Sequence, residues 1–132
     1  NWAITNLELQ KILYIAQMFS YGMRKKPLFD NPIEAWDYGP VVPVVYHEFK
    51  FAGNGPIPSF LFPAEDCVNE DNRTFISKIS KMVKGLKGWQ LVAITHRDRG
   101  AWQRTYRPGI KHLVISPNAI QKEYAELWSD ND

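Results

Sequence analysis

Three histidines and one cysteine are the side chains of this 132-residue chain best suited to catalysis or metal binding: His47, His96, His112 and Cys67. The histidines lack the short spacing of a metal-binding motif, although two of them could meet in the fold with Asp98 as a third ligand. We expect instead that His47 lies on the polar side of a helix and that His96 forms a hydrogen bond at a helix end. Cys67 lies among acidic residues, which disfavour the reactive thiolate. The sequence therefore predicts no bound metal and no other cofactor.

Recognised catalytic motifs are missing from the chain. It contains no G-x-S-x-G, G-x-x-x-x-G-K-[ST], H-E-x-x-H or C-x-x-C pattern. Gly53 and Gly55 are followed by Pro56, which predicts a turn and not a phosphate-binding loop. We therefore expect a binding protein and not an enzyme. A hydrolase with an unfamiliar site is the remaining alternative, and no sequence feature favours it.

Positive charge is concentrated in one segment, residues 73–112. It has ten basic residues and one acidic residue, Asp98, so its formal charge is +9, whereas the rest of the chain carries −7. This asymmetry favours an anionic partner, which can be an acidic protein surface or a nucleic acid. The lysines alone are also typical of an ordinary solvated helix face. The basic residues are Arg73, Lys78, Lys81, Lys84, Lys87, Arg97, Arg99, Arg104, Arg107 and Lys111.

Length and composition indicate one folded domain over residues 1–132. Hydrophobic residues make up 45% of the chain and aromatic residues 14%, which is sufficient for a buried core. No apolar run approaches the roughly 20 residues that span a bilayer, and the first residues do not resemble a signal peptide. We expect a cytoplasmic protein that does not associate with a membrane.

The first elements that must position these residues are a helix, a hairpin and a second helix. Thr5 and Glu8 have the spacing of a capping box, which predicts a first helix over 5–21 that ends at Gly22. Apolar pieces at 28–29 and 33–36 flank a turn signal at 30–32, which predicts a β-hairpin. Gly39-Pro40 should end it. Pro43 in a first helical turn predicts a second helix over 43–52.

The second half of the chain is predicted to be helical. Residues 56–71 contain three prolines and an acidic patch, which indicates a surface excursion. Apolar residues at helical spacing predict a third helix over 72–87, and residues 89–94 suggest a short buried helix or a strand. Ser116-Pro117 predicts the start of a final helix. The predicted fold class is mainly α (α+β), a compact multi-helix domain with a short β-hairpin between the first two helices.

Two stretches of the chain carry the motifs of one protein family. The first combines L-E-L-Q-K-I-L-Y-I-A at 7–16 and P-L-F at 27–29 with I-E-A-W-D-Y-G-P-V-V at 33–42 and Tyr46. The second is L-V-A-I-T-H at 91–96, followed by Ala101-Trp102 where the family often has Pro-Trp. In that order and spacing, the two stretches resemble the Panacea domain, the SocA-like or GepA-like group of antitoxins that is often found in prophages, and the resemblance extends over nearly the whole chain.

The resemblance implies an antitoxin that neutralises a cognate protein toxin encoded beside it, by direct protein contact. It leaves open whether the toxin is blocked or is delivered to a ClpXP-type protease. It does not identify the toxin, and it allows a homo-oligomer. The alternative function is that of a small nucleic-acid-binding or autoregulatory prophage protein that uses the basic segment 73–112.

Six residues are candidates for partner binding. Trp36 and Tyr38 lie at the junction of a hairpin and a helix, where they either form a backbone corner with Gly39 or expose an aromatic anchor. The segment 97–100 is a charged turn that either pairs with an anionic partner or is a solvated loop held by Trp102. The full set is Trp36, Tyr38, Arg97, Arg99, Trp102 and Arg104.

Overall fold

The computed structural model describes residues 3–58 and 69–129, and this part of the chain is mainly α, as predicted. It forms six α-helices, one two-stranded antiparallel sheet and a short 3₁₀ turn at Lys50–Ala52. The elements in chain order are α1 (Asn6–Arg24), β1 (Glu34–Trp36), β2 (Gly39–Val41), α2 (Pro43–Glu48), α3 (Glu70–Lys84), α4 (Gly88–Thr95), α5 (Ala101–Thr105) and α6 (Pro117–Ser129).

Helix α1 lies at the centre of the fold and continues past its predicted end. The capping box at its start is present, since the side chains and backbone amides of Thr5 and Glu8 bond reciprocally. Gly22 does not stop the helix. A Cβ at this position would collide with the ring of Tyr124 on α6, so the glycine permits close helix packing. The helix ends at Arg24, and the C-cap residue Lys25 has a left-handed φ of 62°.

Two hydrophobic clusters pack on opposite parts of α1. One joins α1 to the hairpin, α5 and α6, and the other joins α1 to α3 and α4. Because α1 contributes to both, the elements on its two sides are held in one arrangement. The buried residues of the first cluster include Tyr14, Met18, Ile33, Val42, Ala101, Ile115 and Ile120, and those of the second are Ile15, Ala16, Phe75, Ile79, Val83 and Leu91.

Two glutamines of α1 supply hydrogen bonds to neighbouring loops. The side-chain oxygen of Gln17 accepts from the amides of Leu28 and Phe29, and its nitrogen donates to the carbonyl of Phe29. Gln10 accepts from the amide of Val42. These buried side chains satisfy backbone groups that would otherwise need a strand partner.

The predicted hairpin is present between the first two helices, but its predicted boundaries are wrong. The chain pairs 34–36 with 39–41, and the turn is Asp37-Tyr38. Residues 28–29 do not form a strand, because Gln17 satisfies their backbone. Gly39-Pro40 belongs to β2 and does not end the hairpin. Proline is tolerated there since β2 is an edge strand in the described part of the chain.

The other helices differ from the predictions mainly at their ends. Helix α2 stops at Glu48 and continues only as the 3₁₀ turn, whereas one helix over 43–52 was expected. Helix α3 begins two residues earlier than predicted, with Asn69 as its N-cap. Residues 88–95 are a helix and not a strand, but Trp89 is 68% exposed, so only part of this helix is buried. Most of the predicted excursion at 56–71, including Cys67, lies outside the described residues.

Candidate partner-binding face

A stack of three rings stands behind the hairpin turn. His96 at the end of α4, Trp102 on α5 and Tyr106 after α5 lie ring on ring. The centroids of His96 and Trp102 are 4.4 Å apart, and those of Trp102 and Tyr106 are 4.9 Å apart. The interplanar angles are 23° and 14°, which correspond to stacking. We call these three residues the aromatic stack.

Each ring of the aromatic stack bonds to one of residues 36–38, which are the last residue of β1 and the two residues of the turn. The indole N–H of Trp102 donates to the carbonyl of Trp36 at 2.8 Å, and Nε2 of His96 lies 3.1 Å from the carbonyl of Tyr38. The hydroxyl of Tyr106 donates to the Asp37 carboxylate at 2.5 Å. This contact raises the pKa of the Tyr106 hydroxyl. The turn is therefore held at three consecutive residues.

Gly39 allows the imidazole to approach the turn. Its φ is 122°, which disfavours residues with a side chain, and a Cβ there would lie 2.7 Å from Nε2 of His96. Burial lowers the pKa of His96, the nearby charge of Lys11 lowers it further, and the hydrogen bond to Tyr38 acts in the opposite direction. The neutral ring is the favoured form, with Nε2–H as the donor to the carbonyl.

The charged turn at 97–100 is anchored on a buried carboxylate of α6. Glu123 is 1% exposed and accepts from the Tyr14 hydroxyl, the Ala101 amide at 3.3 Å and Nε of Arg97 at 3.3 Å. Burial and the adjacent carboxylate raise the pKa of the Tyr14 hydroxyl far above its ordinary value. Gly100 is needed here, since a Cβ would overlap the carboxylate.

The three candidate arginines have different surroundings. Arg97 pairs with Glu123 and also lies 3.9 Å from Glu126, so it joins the turn to α6. Arg104 lies 3.7 Å from Glu126, and its Nε donates to the carbonyl of Arg99 at 2.7 Å. Arg99 has a left-handed φ of 62°, and its side chain is exposed.

The structure brings the six predicted residues into two adjoining groups. Trp36, Tyr38 and Trp102 meet at the hairpin turn, and the three arginines lie around the turn before α5. Trp102 and Arg104 connect the groups, because both are on α5. Tyr38 is 67% exposed, whereas Trp36 and Trp102 are half-buried. We call the two groups together the hairpin face.

Sequence reasoning missed several residues that shape this region. Glu123 and Tyr106 were not singled out, although a glutamate on the apolar stripe of the last helix was a visible signal. A cleft of about 460 Å³ also lies beside the turn. Its lining includes Lys50, which no sequence feature marked, and also Lys111 and His112, which were noted only as a basic residue and as a histidine. His47 is exposed, as expected for the polar side of α2, and its ring faces Trp36.

Within residues 3–58 and 69–129, no three His, Cys, Asp or Glu side chains are placed to hold a metal ion together. The helices of the same ranges are each too short or too polar to cross a bilayer.

The fold and the hairpin face define a small, mainly helical protein in which the aromatic stack holds an exposed hairpin turn in place. The chain belongs to the SocA-like antitoxin family, since the family model for the Panacea domain of SocA-like antitoxins matches residues 9–103. The matched range includes the hairpin turn, His96 and Trp102. The resemblance inferred from the sequence motifs is thereby confirmed.

A curated relative agrees with this assignment. Antitoxin SocA of Caulobacter vibrioides (strain NA1000 / CB15N) is 32% identical to the chain over 114 residues. The match covers 75% of this chain and 58% of the relative, so the chain spans less than two thirds of that protein. No solved structure shows significant similarity to the chain.

Replacing the buried carboxylate tests whether it anchors the turn. We expect Glu123→Gln to lower the free energy of unfolding by about 1–3 kcal/mol, because the amide offers one acceptor to three donors and leaves Arg97 without its buried counter-charge. The matched control is Glu126→Gln, a more exposed carboxylate, with a change under about 0.5 kcal/mol. Urea denaturation measures both. Equal costs for the two variants would contradict the assigned role.

The lowered pKa of His96 predicts a pH-dependent contribution to stability. As the pH falls through the ordinary histidine value of 6.5, the unfolded chain gains a proton that the folded state does not yet bind, so stability decreases until the lowered folded pKa is passed. His96→Gln keeps a donor for the Tyr38 carbonyl but does not titrate. Denaturation at pH values of about 7.5 and 5.5 should show a larger loss for the wild type than for the variant. Parallel losses would contradict this role of His96.

Proposed function

We propose that this chain is an antitoxin that neutralises a cognate protein toxin in the cytoplasm by direct protein–protein binding, without a catalytic step of its own. The observation that supports the proposal is the exposed Tyr38 at a turn fixed by three hydrogen bonds from the aromatic stack. Membership of the SocA-like family makes a toxin the natural class of partner.

The physical argument for Tyr38 as an anchor is one of pre-organisation. Binding costs conformational entropy wherever a loop must become ordered. The turn that presents Tyr38 is already ordered by His96, Trp102 and Tyr106, so little ordering cost remains. Tyrosine is also among the residues that dominate interface energies. A large exposed ring on a fixed turn is therefore suited to insertion into a pocket of a partner.

The arginine group supplies the electrostatic part of the proposed contact. The exposed Arg99 and the partly exposed Arg104 lie beside the aromatic group and favour an acidic surface. Charges at the rim of an interface mainly accelerate association and discriminate between partners. Arg97 has a different part in this proposal, since it holds the turn to α6 through Glu123. We assign it to positioning and not to contact.

Two routes of neutralisation are compatible with such a contact. In the first, the antitoxin covers a functional surface of the toxin, and in the second it delivers the toxin to a ClpXP-type protease. We propose direct blockade, because it requires only the toxin contact at the hairpin face, whereas delivery also requires a contact with the protease. A single domain over residues 1–132 would be sufficient for blockade, and a homo-oligomer would also be compatible with it.

Nucleic-acid binding is the second candidate function. A groove of about 560 Å³ on α3 is lined by basic and hydroxyl side chains, which suits phosphate contacts: Arg73, Thr74, Ser77, Lys78 and Lys81. The carboxylates of Glu123 and Glu126, however, offset part of the charge of the basic segment. A shift of DNA or RNA in a gel at low salt would support this function, and its absence there would remove it.

Truncating the exposed tyrosine tests the antitoxin proposal. We expect Tyr38→Ala to weaken binding to the protein encoded beside this chain by about tenfold or more, as for an interface anchor. The matched control is Trp89→Ala, because Trp89 is equally exposed but lies at the other end of α4 from His96. Its affinity should remain within about threefold of the wild type. Calorimetric titration of the purified proteins measures both.

Thermal denaturation of the two variants serves as the folding control, since neither side chain is buried. Wild-type affinity in Tyr38→Ala, or an equal loss in Trp89→Ala, would contradict the assigned face. No binding by the wild type would contradict the function itself.

A further inference from the structure

The cleft beside the hairpin turn lies where the segment before residue 113 departs from its pairing with strand β1. Strand β1 pairs on its outer edge with residues 113–115, through a bridge of Glu34 to Val114 and a bond from the Ala35 amide to the Leu113 carbonyl at 2.8 Å. At His112 the φ is 63°, which interrupts the extended chain and turns the segment away from β1. Residues 35–38 and 110–112 both contribute to the lining of the cleft.

The floor of this cleft is apolar and aromatic. Ala35, Trp36 and Tyr46 contribute to its lining. The rings of Trp36 and Tyr46 meet edge to face with centroids 5.0 Å apart, so they support one another. Tyr38 and Ile110 stand at the two sides, and both are more than half exposed. A volume of about 460 Å³ lies in the range of clefts that bind small ligands or anchoring side chains.

Basic side chains surround the apolar floor. The lining includes two lysines and two histidines: His47, Lys50, Lys111 and His112. Among the residues that the structure describes, Asp37 is the only carboxylate in the lining, and it already accepts from Tyr106. Glu34 is not part of this lining, but it accepts from the Trp36 indole and lies 3.4 Å from His112. Neither Lys50 nor Lys111 forms an ion pair within the described ranges.

We propose that this cleft binds an acidic segment of the partner protein, with an aromatic side chain against Trp36 and Tyr46 and neighbouring carboxylates against Lys50 and Lys111. The inference rests on the proposed function, since it names the chemistry that the partner presents. Chemical complementarity indicates the occupant. An aromatic ring can pack against the apolar floor, and the unpaired ammonium groups at the rim can donate hydrogen bonds to carboxylates. Tyr38 borders both the cleft and the hairpin face, so one polypeptide can contact both.

A peptide titration followed by NMR tests the cleft without any toxin. The probe is a seven-residue peptide with one phenylalanine flanked on each side by glutamates, added to the ¹⁵N-labelled full chain. We expect saturable shifts of the Trp36 indole N–H and of the amides of residues 50 and 111. A peptide with glutamine in place of glutamate should bind about tenfold more weakly, and so should one with alanine in place of phenylalanine.

Charge reversal within the cleft provides the matched variants. Lys50→Glu with Lys111→Glu should lower the affinity for the acidic peptide by about tenfold, because both ammonium groups are lost and two negative charges are introduced beside the carboxylates of the peptide. The control is Lys84→Glu with Lys122→Glu, which makes the same change of charge at exposed positions of α3 and α6 outside the cleft. Its affinity should stay within about threefold of the wild type. All four lysines are exposed, so both variants are expected to fold, and their spectra verify this.

Several results would overturn the inference. The first is no saturable binding at millimolar peptide, and the second is equal affinity for the glutamate and glutamine peptides. The third is an equal loss of affinity in the two charge-reversed variants. The fourth is tighter binding of ATP or a single-stranded oligonucleotide than of the acidic peptide at the same amides. The last result would identify the cleft as a nucleotide or nucleic-acid site.

The toxin separates this inference from the proposed function. If the wild type and Lys50→Glu with Lys111→Glu bind the toxin with equal affinity, the antitoxin function stands and the proposed role of the cleft is wrong. If the acidic peptide shifts the Trp36 indole signal but the wild type does not bind the toxin, the proposed cleft site is supported and the antitoxin function is contradicted.

Discussion

A buried carboxylate is the constraint on which the rest of this structure depends. Glu123 is almost completely removed from solvent, and a charge in that position is tolerated only when donors surround it. Tyr14 of α1, Arg97 after α4 and the Ala101 amide at the start of α5 supply those donors. One side chain of α6 therefore ties three separate parts of the chain together. Gly100 provides the space, since a larger residue would overlap the carboxylate.

The same anchor determines where the hairpin turn lies. Once the first turn of α5 is attached to Glu123, Trp102 is directed toward the hairpin, where its indole bonds to the carbonyl of Trp36. His96 and Tyr106 both stack on Trp102, and they bond to Tyr38 and Asp37 respectively. The exposed Tyr38 is thus supported by a chain of contacts that begins in the core. Buried polar contacts of this kind specify one arrangement where apolar packing would allow several.

The extent to which the sequence predicts this fold depends on how local each signal is. The capping box at Thr5 and the apolar stripes of the long helices are local patterns, and they predicted those helices correctly apart from their ends. The hairpin boundaries were predicted wrongly because Gln17, a helical residue 11–12 positions away, satisfies the backbone of 28–29. The candidate residues at the turn were predicted from the motif, but the contacts that hold the turn in place were not. Tyr14 and Glu123 are 109 positions apart, and no local pattern reports such a contact.

The most direct test of the account is a toxicity rescue. The protein encoded beside this chain is induced in bacterial hosts with and without ClpP, in the presence or absence of the chain. Neutralisation by direct blockade predicts that the chain restores growth in both hosts. Continued toxicity in the presence of folded, accumulated chain would contradict the antitoxin function, and rescue only in the host that contains ClpP would contradict blockade as the mechanism.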